Sequence, residues 1–331
     1  MLTAAVVGLG WWGQTILAAL EGSDRLRPVA AVTRSAAGQA AARAHGLAIT
    51  PDYAEMLRDP RIDAVILCTP NSLHLPQVLA AAAAGKHVFC EKPLALTCAD
   101  ANAAVAACAA HGVTLGVGHE RRFEPAIQEM RRRAASGQFG TVLQIEANFS
   151  QDKMLGVAEG NWRLSEAEAP AGPLTATGIH LLDLAISFAG PVAGVLTSVR
   201  QLDSHLVNGD SLAALVMFES GANALLSAML ATPFASRFAL YGSKGWVEAV
   251  DRAHPDHPDG STLTVCLRGS RPETLAFPPT SAVRANLEAF ADAAAGRGVY
   301  PISAAEMIAT IAALEACVRS AASGAVVPVG R

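Results

Sequence analysis

Charge is scarce in this sequence: Asp, Glu, Lys and Arg make up 16% of its 331 residues, and the formal net charge is −4. Without a basic excess there is no electrostatic footprint for nucleic acid or for an anionic membrane surface. Cysteine patterns are missing too. Cys68, Cys90, Cys98, Cys108, Cys266 and Cys317 form no CxxC pair and no zinc-ligand spacing. They read as reduced thiols in a reducing cytoplasm, with no metal site expected. The first 20 residues carry no charge, but they lack a basic leader, and Gly8, Gly10 and Gly13 interrupt the run. A buried strand, a turn and a helix explain that stretch better than an export signal or a membrane span. There is no internal repeat and no low-complexity tail.

What is present is apolar. Hydrophobic residues are 51% of the chain, much of it alanine, and the length suffices for two domains with a core each. Short continuous apolar runs (4–7, 28–32, 64–68, 87–90 and 114–117) alternate with helical stretches near 12–21, 35–45, 73–84 and 99–111. Gly46, Gly85 and Gly112 lie where those last three helices should end. Repeated units of this kind predict a doubly wound parallel sheet covered on both faces, a Rossmann domain over 1–122. Beyond that, the chain predicts a helix over 125–135 and then strands over 142–149, 194–201, 211–219, 223–231, 237–241, 246–249 and 263–267. A polar loop covers 251–261, and two helices (282–296 and 303–322) close the chain. These elements predict a C-terminal α+β domain over 123–331 with a largely antiparallel open sheet.

Gly8-Leu9-Gly10-Trp11-Trp12-Gly13 follows the first strand and opens the first helix. That is the context in which GxGxxG binds a dinucleotide: a tight turn, close backbone approach to a pyrophosphate, and close packing of helix on strand. An NAD enzyme usually carries an acid at the end of the second strand, to hold the ribose 2′-hydroxyl. Here Thr33-Arg34-Ser35 stands in that place. Arg34 suits a 2′-phosphate, helped by the neighbouring hydroxyls, so NADP is the expected cofactor and NAD the alternative. Thr69-Pro70-Asn71 with His74, and Glu91-Lys92-Pro93, follow two further strands at their carboxyl ends, where ligands of such sheets bind, so Thr69, Pro70, Asn71, His74, Glu91 and Lys92 are expected cofactor contacts. Lys92 there could polarise a carbonyl or transfer a proton.

These motifs come in the order and spacing of one family, together with the run Gly118 to Phe123, Pro125, Trp162-Arg163 and Gly178-Ile179-His180-Leu181-Leu182-Asp183. The chain resembles the glucose–fructose oxidoreductase, inositol dehydrogenase and rhizopine-catabolism (Gfo/Idh/MocA) proteins over essentially its whole length. The resemblance implies that Lys92 and His180 are the catalytic pair, near the nicotinamide and the reacting alcohol. His180 and Asp183 are three apart at the start of a helix, so the carboxylate could orient the imidazole. Arg122, Trp162, Arg163, Thr177 and Asp183 are candidate substrate contacts.

Many of that family carry an aspartate four residues before the histidine, and this chain has Ala176. Thr175 or Thr177 could bond a substrate hydroxyl, but neither is a base near neutral pH. The departure leaves open a non-catalytic dinucleotide-binding sensor on the same fold. Reduction of a carbonyl or imine, with Lys92 as donor, is a third reading. The expected substrate is a sugar, polyol or similar small molecule. The resemblance also implies a homodimer or homotetramer.

Overall fold

The computed structural model describes residues 1–330, which divide into two compact units: residues 1–120 with 283–308, and residues 121–282 with the C-terminal remainder. No helix among the described residues is long and apolar enough to cross a membrane.

In the first unit the chain order is β1 (Leu2–Val7), α1 (Trp11–Ala19), β2 (Leu26–Val32), α2 (Ala36–Ala44), β3 (Ala48–Thr50), α3 (Tyr53–Leu57), β4 (Ala64–Leu67), α4 (His74–Ala83), β5 (His87–Cys90), α5 (Cys98–Ala110) and β6 (Leu115–Val117). The six strands form one sheet in the order β3-β2-β1-β4-β5-β6, and every adjacent pair is parallel. β4 reads Ala-Val-Ile-Leu and all four residues are buried, as a strand covered on both faces requires. Helix ends follow local rules. Ser35, Asp52 and Thr97 cap α2, α3 and α5 with their side chains. Gly46, Gly85 and Gly112 follow α2, α4 and α5 with φ of +66°, +69° and +65°, the left-handed closure that glycine adopts without strain. The sequence pattern did not reveal β3 or α3, which at three and five residues are too short to display a period.

The first unit also takes in the return segment 283–308, whereas the sequence reading ran its second domain unbroken from residue 123. The cause is packing. Phe290 lies edge-on to Phe89 at 5.6 Å, and Gly116 leaves room for it: a Cβ there would come within 2.8 Å of that ring. Asn286 Nδ2 donates to the Val117 carbonyl at 2.9 Å, and the Tyr300 hydroxyl is within bonding reach of both.

The second unit contains α6 (Pro125–Ala135), β7 (Val142–Ser150), α7 (Ile179–Ala189) and the strands β8 (Val192–Arg200), β9 (Ser211–Phe218), β10 (Asn223–Met229), β11 (Ala235–Gly242), β12 (Gly245–Asp251), β13 (Ser261–Leu267) and β14 (Glu273–Phe277). The chain ends with α8 (Ala282–Ala294), α9 (Ala304–Ser323) and β15 (Val327–Pro328). Its sheet has nine strands in the order β14-β13-β12-β11-β7-β10-β9-β8-β15. β7 with β10 is the single parallel pair, so the sheet is mixed but mostly antiparallel. Helices α6 and α7 pack on it. Along β10 the residues alternate between exposed or half-buried and buried, so one face of the sheet is much more open than the other. That open face holds a broad groove of about 670 Å³ lined by Leu196, Leu215, Leu225, Glu146 and Arg237 among others.

Candidate active site

In the first unit the glycine turn stands at the switch point of the sheet, where β1 and β4 are neighbours and their connections diverge. Gly8 has a φ of +91°, and a Cβ there would lie 2.7 Å from the Cys68 carbonyl oxygen. A Cβ on Gly13 would come within 2.2 Å of the Gly8 carbonyl oxygen, so glycine is what lets α1 sit this close to the turn. Gly10 is different, because a Cβ on it would meet nothing within 4 Å. It opens α1 without a side-chain cap, and no acid lies in the first turn. The uncapped N–H groups and the open space fit a dinucleotide pyrophosphate. Trp11 is exposed beside them, edge-on to Trp12 at 5.6 Å.

At the end of β2 the three residues proposed for the cofactor's ribose divide. Arg34 is exposed. Thr33 is buried, its hydroxyl set against Gly38 so closely that a Cβ there would be 2.2 Å away. The Ser35 hydroxyl accepts the Gly38 N–H at 3.1 Å as the cap of α2. Arg34 and Ser35 are both exposed, and Arg34 alone of the three carries a charge.

After β4, Thr69 and Pro70 are half-buried and Asn71 is buried; the Thr69 hydroxyl donates to Gln77 Oε1 at 2.6 Å. His74, read from sequence as a cofactor contact, is fully buried. Its Nδ1 lies 2.7 Å from the Pro93 carbonyl and its Nε2 lies 3.1 Å from the Thr69 carbonyl. It therefore shapes the two turns at the strand ends and does not line them. Lys92, after β5, is half-buried, and the peptide bond to Pro93 is cis. Its backbone N–H donates to Glu91 Oε2 at 3.3 Å. Glu91 is buried, and Gly118 makes space for its carboxylate: a Cβ at 118 would lie 2.4 Å from Oε2.

In the second unit His180 lies in the first turn of α7, 4% exposed, directly after a π-helical turn over Leu174–Gly178. Its ring is 5.9 Å from that of Phe149, at the end of β7. Phe149 in turn meets His254 at 5.6 Å and Phe234 at 6.3 Å, and the Arg121 guanidinium lies over it at 4.6 Å. The sequence offered no sign of this grouping, because Phe149 read only as the last residue of a strand and His254 as part of a polar loop.

That loop is pinned. Asp256 accepts from Lys153 Nζ at 2.5 Å and bonds His254 Nδ1 at 2.7 Å. Burial by itself would raise the Asp256 carboxyl, but the hydrogen bonds from His254 and Lys153 outweigh it and hold the group well below the usual carboxylate range. Burial pushes the His254 imidazole down, against the opposing pull of Asp256.

Arg122 and Asp183, expected at the substrate, are committed to each other. Arg122 Nε and Nη2 reach Asp183 Oδ2 and Oδ1 at 2.6 and 2.7 Å, with the residues 3% and 1% exposed. Both oxygens of the carboxylate expected to orient His180 are thus gripped by a guanidinium 61 residues away in sequence. The hydroxyls of Thr175 and Thr177 also turn inward, donating to the carbonyls of Pro170 (2.5 Å) and Pro173 (3.2 Å). Ala176 packs against an apolar cluster of Met154, Leu164, Leu206 and Leu230. Trp162 and Arg163 are half-buried and stacked on each other, with the guanidinium 4.2 Å from the ring centroid.

Residues 2–119 match the family described as "Oxidoreductase family, NAD-binding Rossmann fold", and residues 127–248 match "GFO/IDH/MocA C-terminal domain". Over 275 residues the chain is 33% identical to 1,5-anhydro-D-fructose reductase of Ensifer adhaerens, covering 82% of this chain and 80% of that protein. Over 338 aligned positions it is 29% identical to inositol 2-dehydrogenase 2 of Saccharopolyspora erythraea, covering 99% and 95%. Among solved structures, the aldose-aldose oxidoreductase of Caulobacter crescentus, complexed with glycerol, superposes with a TM-score of 0.87 at 26% identity, covering 99% of each chain.

Proposed function

We propose a reaction for this chain, which belongs to the Gfo/Idh/MocA oxidoreductase family: hydride exchange between NADP and a hydroxyl or carbonyl of a sugar- or polyol-like small molecule. The observation that carries it is the uncapped start of α1 at the switch point of the parallel sheet, with Lys92 at the end of a strand of the same sheet. One relative is named for reducing 1,5-anhydro-D-fructose and another for dehydrogenating inositol, which supports this substrate class.

The dinucleotide, when bound, supplies the hydride chemistry, and the protein supplies position and electrostatics. The Gly8–Gly13 turn and the first N–H groups of α1 hold its pyrophosphate. Lys92 donates to the reacting oxygen and stabilises the negative charge that develops there. His180 takes the hydroxyl proton as general base in the oxidative direction and returns it in the reductive one. No carboxylate stands at position 176, where Ala176 lies in apolar surroundings, so the proton relay works without one.

The exposed Arg34, with no acid at the end of β2, supports NADP over NAD. Titration with each reduced cofactor, followed by quenching of tryptophan emission from Trp11 and Trp12, should show the tighter binding for NADPH. Arg34→Asp should reverse the order. Equal affinities in the wild type would remove the cofactor assignment and leave the dinucleotide site, whereas no binding of either would remove the enzymatic reading.

We also propose that the open face of the nine-stranded sheet pairs with a second copy of the chain. Leu196, Leu225 and Met229 are 38%, 47% and 37% exposed on that side, and Arg237 bridges Glu146 and Glu248 at 3.1 and 3.2 Å beside them. Exposed leucines around a charged network suit an interface core and its polar contacts. Light scattering should give a dimer or tetramer for the wild type and a smaller species for Leu225→Asp. An unchanged mass for that variant would place the interface elsewhere.

A further inference from the structure

His74 opens α4 with no exposed surface, and each of its two ring nitrogens faces a backbone carbonyl oxygen. A carbonyl oxygen only accepts. A neutral imidazole has one N–H and one lone pair, so it could satisfy one of these contacts and would turn its lone pair on the other oxygen. An imidazolium satisfies both. The 2.7 Å contact to Pro93 is also at the short end for a nitrogen donor, as in charge-assisted bonds.

The two acceptors belong to different strand ends. Thr69 follows β4, and Pro93 lies in the turn after β5 that carries Lys92. We propose that His74 is a positioning residue: a buried imidazolium that donates to Thr69 and Pro93 at once, and so fixes the turn from which Lys92 projects. This inference rests on the role proposed for Lys92.

The surroundings give such a cation partial support. The N-terminal end of a helix works against it. The two carbonyls that face its nitrogens work for it. The other titratable groups on the elements around α4 are Tyr53 and Glu55 on α3, His87 and Cys90 on β5, Glu91 and Lys92 after it, and Cys98, Asp100 and Cys108 on α5. Tyr53 donates its hydroxyl proton to the Gln77 carbonyl on α4 itself, at 2.8 Å. Glu91 is the anion among them that shares the turn with Pro93.

Two measurements test this on the full chain. The first is a nitrogen-15 spectrum of the nine histidines at pH 8, where ordinary imidazoles, with pKa values near ~6.5, have lost the second proton. One ring should keep both nitrogens protonated, and that signal should vanish in His74→Phe. If every imidazole at pH 8 has an unprotonated nitrogen, the inference is overturned.

The second is a cycle of His74→Gln, Lys92→Met and the double variant, read as turnover and as NADPH affinity. His74→Gln keeps one donor and should lower turnover by roughly 10- to 100-fold, the scale of a catalytic group misplaced by about 1 Å. It should leave NADPH affinity nearly unchanged. In the Lys92→Met background the same change should cost almost nothing, because the group it positions is gone. Equal losses in both backgrounds would overturn action through Lys92. Full turnover in Lys92→Met alone would instead remove the role proposed for that lysine, and with it the positioning role of His74, while the spectrum still decides the charge of the ring.

Discussion

Lys92→Met should lose turnover by roughly 100- to 10,000-fold, the range typical for one positioned proton-transfer or charge-stabilising group, while its NADPH affinity stays close to that of the wild type. The substitution keeps the unbranched stem of a half-buried side chain and removes only the ammonium. Its backbone N–H, which donates to Glu91, is retained, so the turn keeps that contact. The cradle proposed for the cofactor's pyrophosphate is the start of α1, at the turn built by Gly8, Gly10 and Gly13, and the substitution does not touch it. Turnover and binding should therefore separate. Stopped-flow measurement of hydride transfer, with the sugar or polyol that a substrate screen identifies, gives the first quantity, and the fluorescence titration gives the second. Wild-type turnover would exclude Lys92 from the chemistry. Loss of both quantities together would mean that the lysine holds the cofactor itself.

The second large effect is on stability. Arg122→Met should destabilise the protein by roughly 3–5 kcal/mol, the usual consequence of removing one partner from a buried ion pair. The Asp183 carboxylate, 1% exposed, would remain in a place that water hardly reaches. Arg122→Lys should recover only part of this, because an ammonium cannot make the parallel two-oxygen grip seen at 2.6 and 2.7 Å. Replacing both partners, Arg122→Met with Asp183→Leu, should be far milder than either change alone, since no charge is then left unpaired. Urea unfolding measures all three as shifts in midpoint at constant slope. A loss below about 1 kcal/mol for Arg122→Met, the scale of an exposed pair, would show that the pair is solvated. It would then return Arg122 and Asp183 to the list of substrate contacts.

This pair shows where sequence reasoning reached its limit. Arg122 was legible as a candidate substrate contact, and Asp183 as a residue one helical turn from His180. Their union across 61 positions was not, because no local period links them. His74 is a similar case: its motif pointed to the cofactor, but the structure turns both ring nitrogens onto backbone carbonyls. The Ser35 hydroxyl, read as a helper at the 2′-phosphate, caps α2, and the Thr33 hydroxyl, read the same way, is set against Gly38. A short polar side chain bonds whatever backbone group lies nearest, and that is set by the turn and not by the motif.

By itself the sequence determined the parts of this protein that local physics controls. Continuous apolar runs marked the buried parallel strands, and a series of closely spaced strand-like segments marked the mixed sheet. Gly46, Gly85 and Gly112 marked helix ends, and the Gly8–Gly13 spacing marked the tight turn on which α1 opens. Each of these signals is confined to a few neighbouring residues, so a linear reading can find it. Only the tertiary structure decided what depends on distant partners. It returned residues 283–308 to the first unit by seating Phe290 on Phe89. It placed Phe149 beside His180, gripped Asp183 with Arg122, and set Ala176 among apolar side chains. The physical reason is the same throughout. Which faces are apolar follows from local pattern, but which charge pairs with which is settled only when folding removes water and leaves each buried polar group to find a partner.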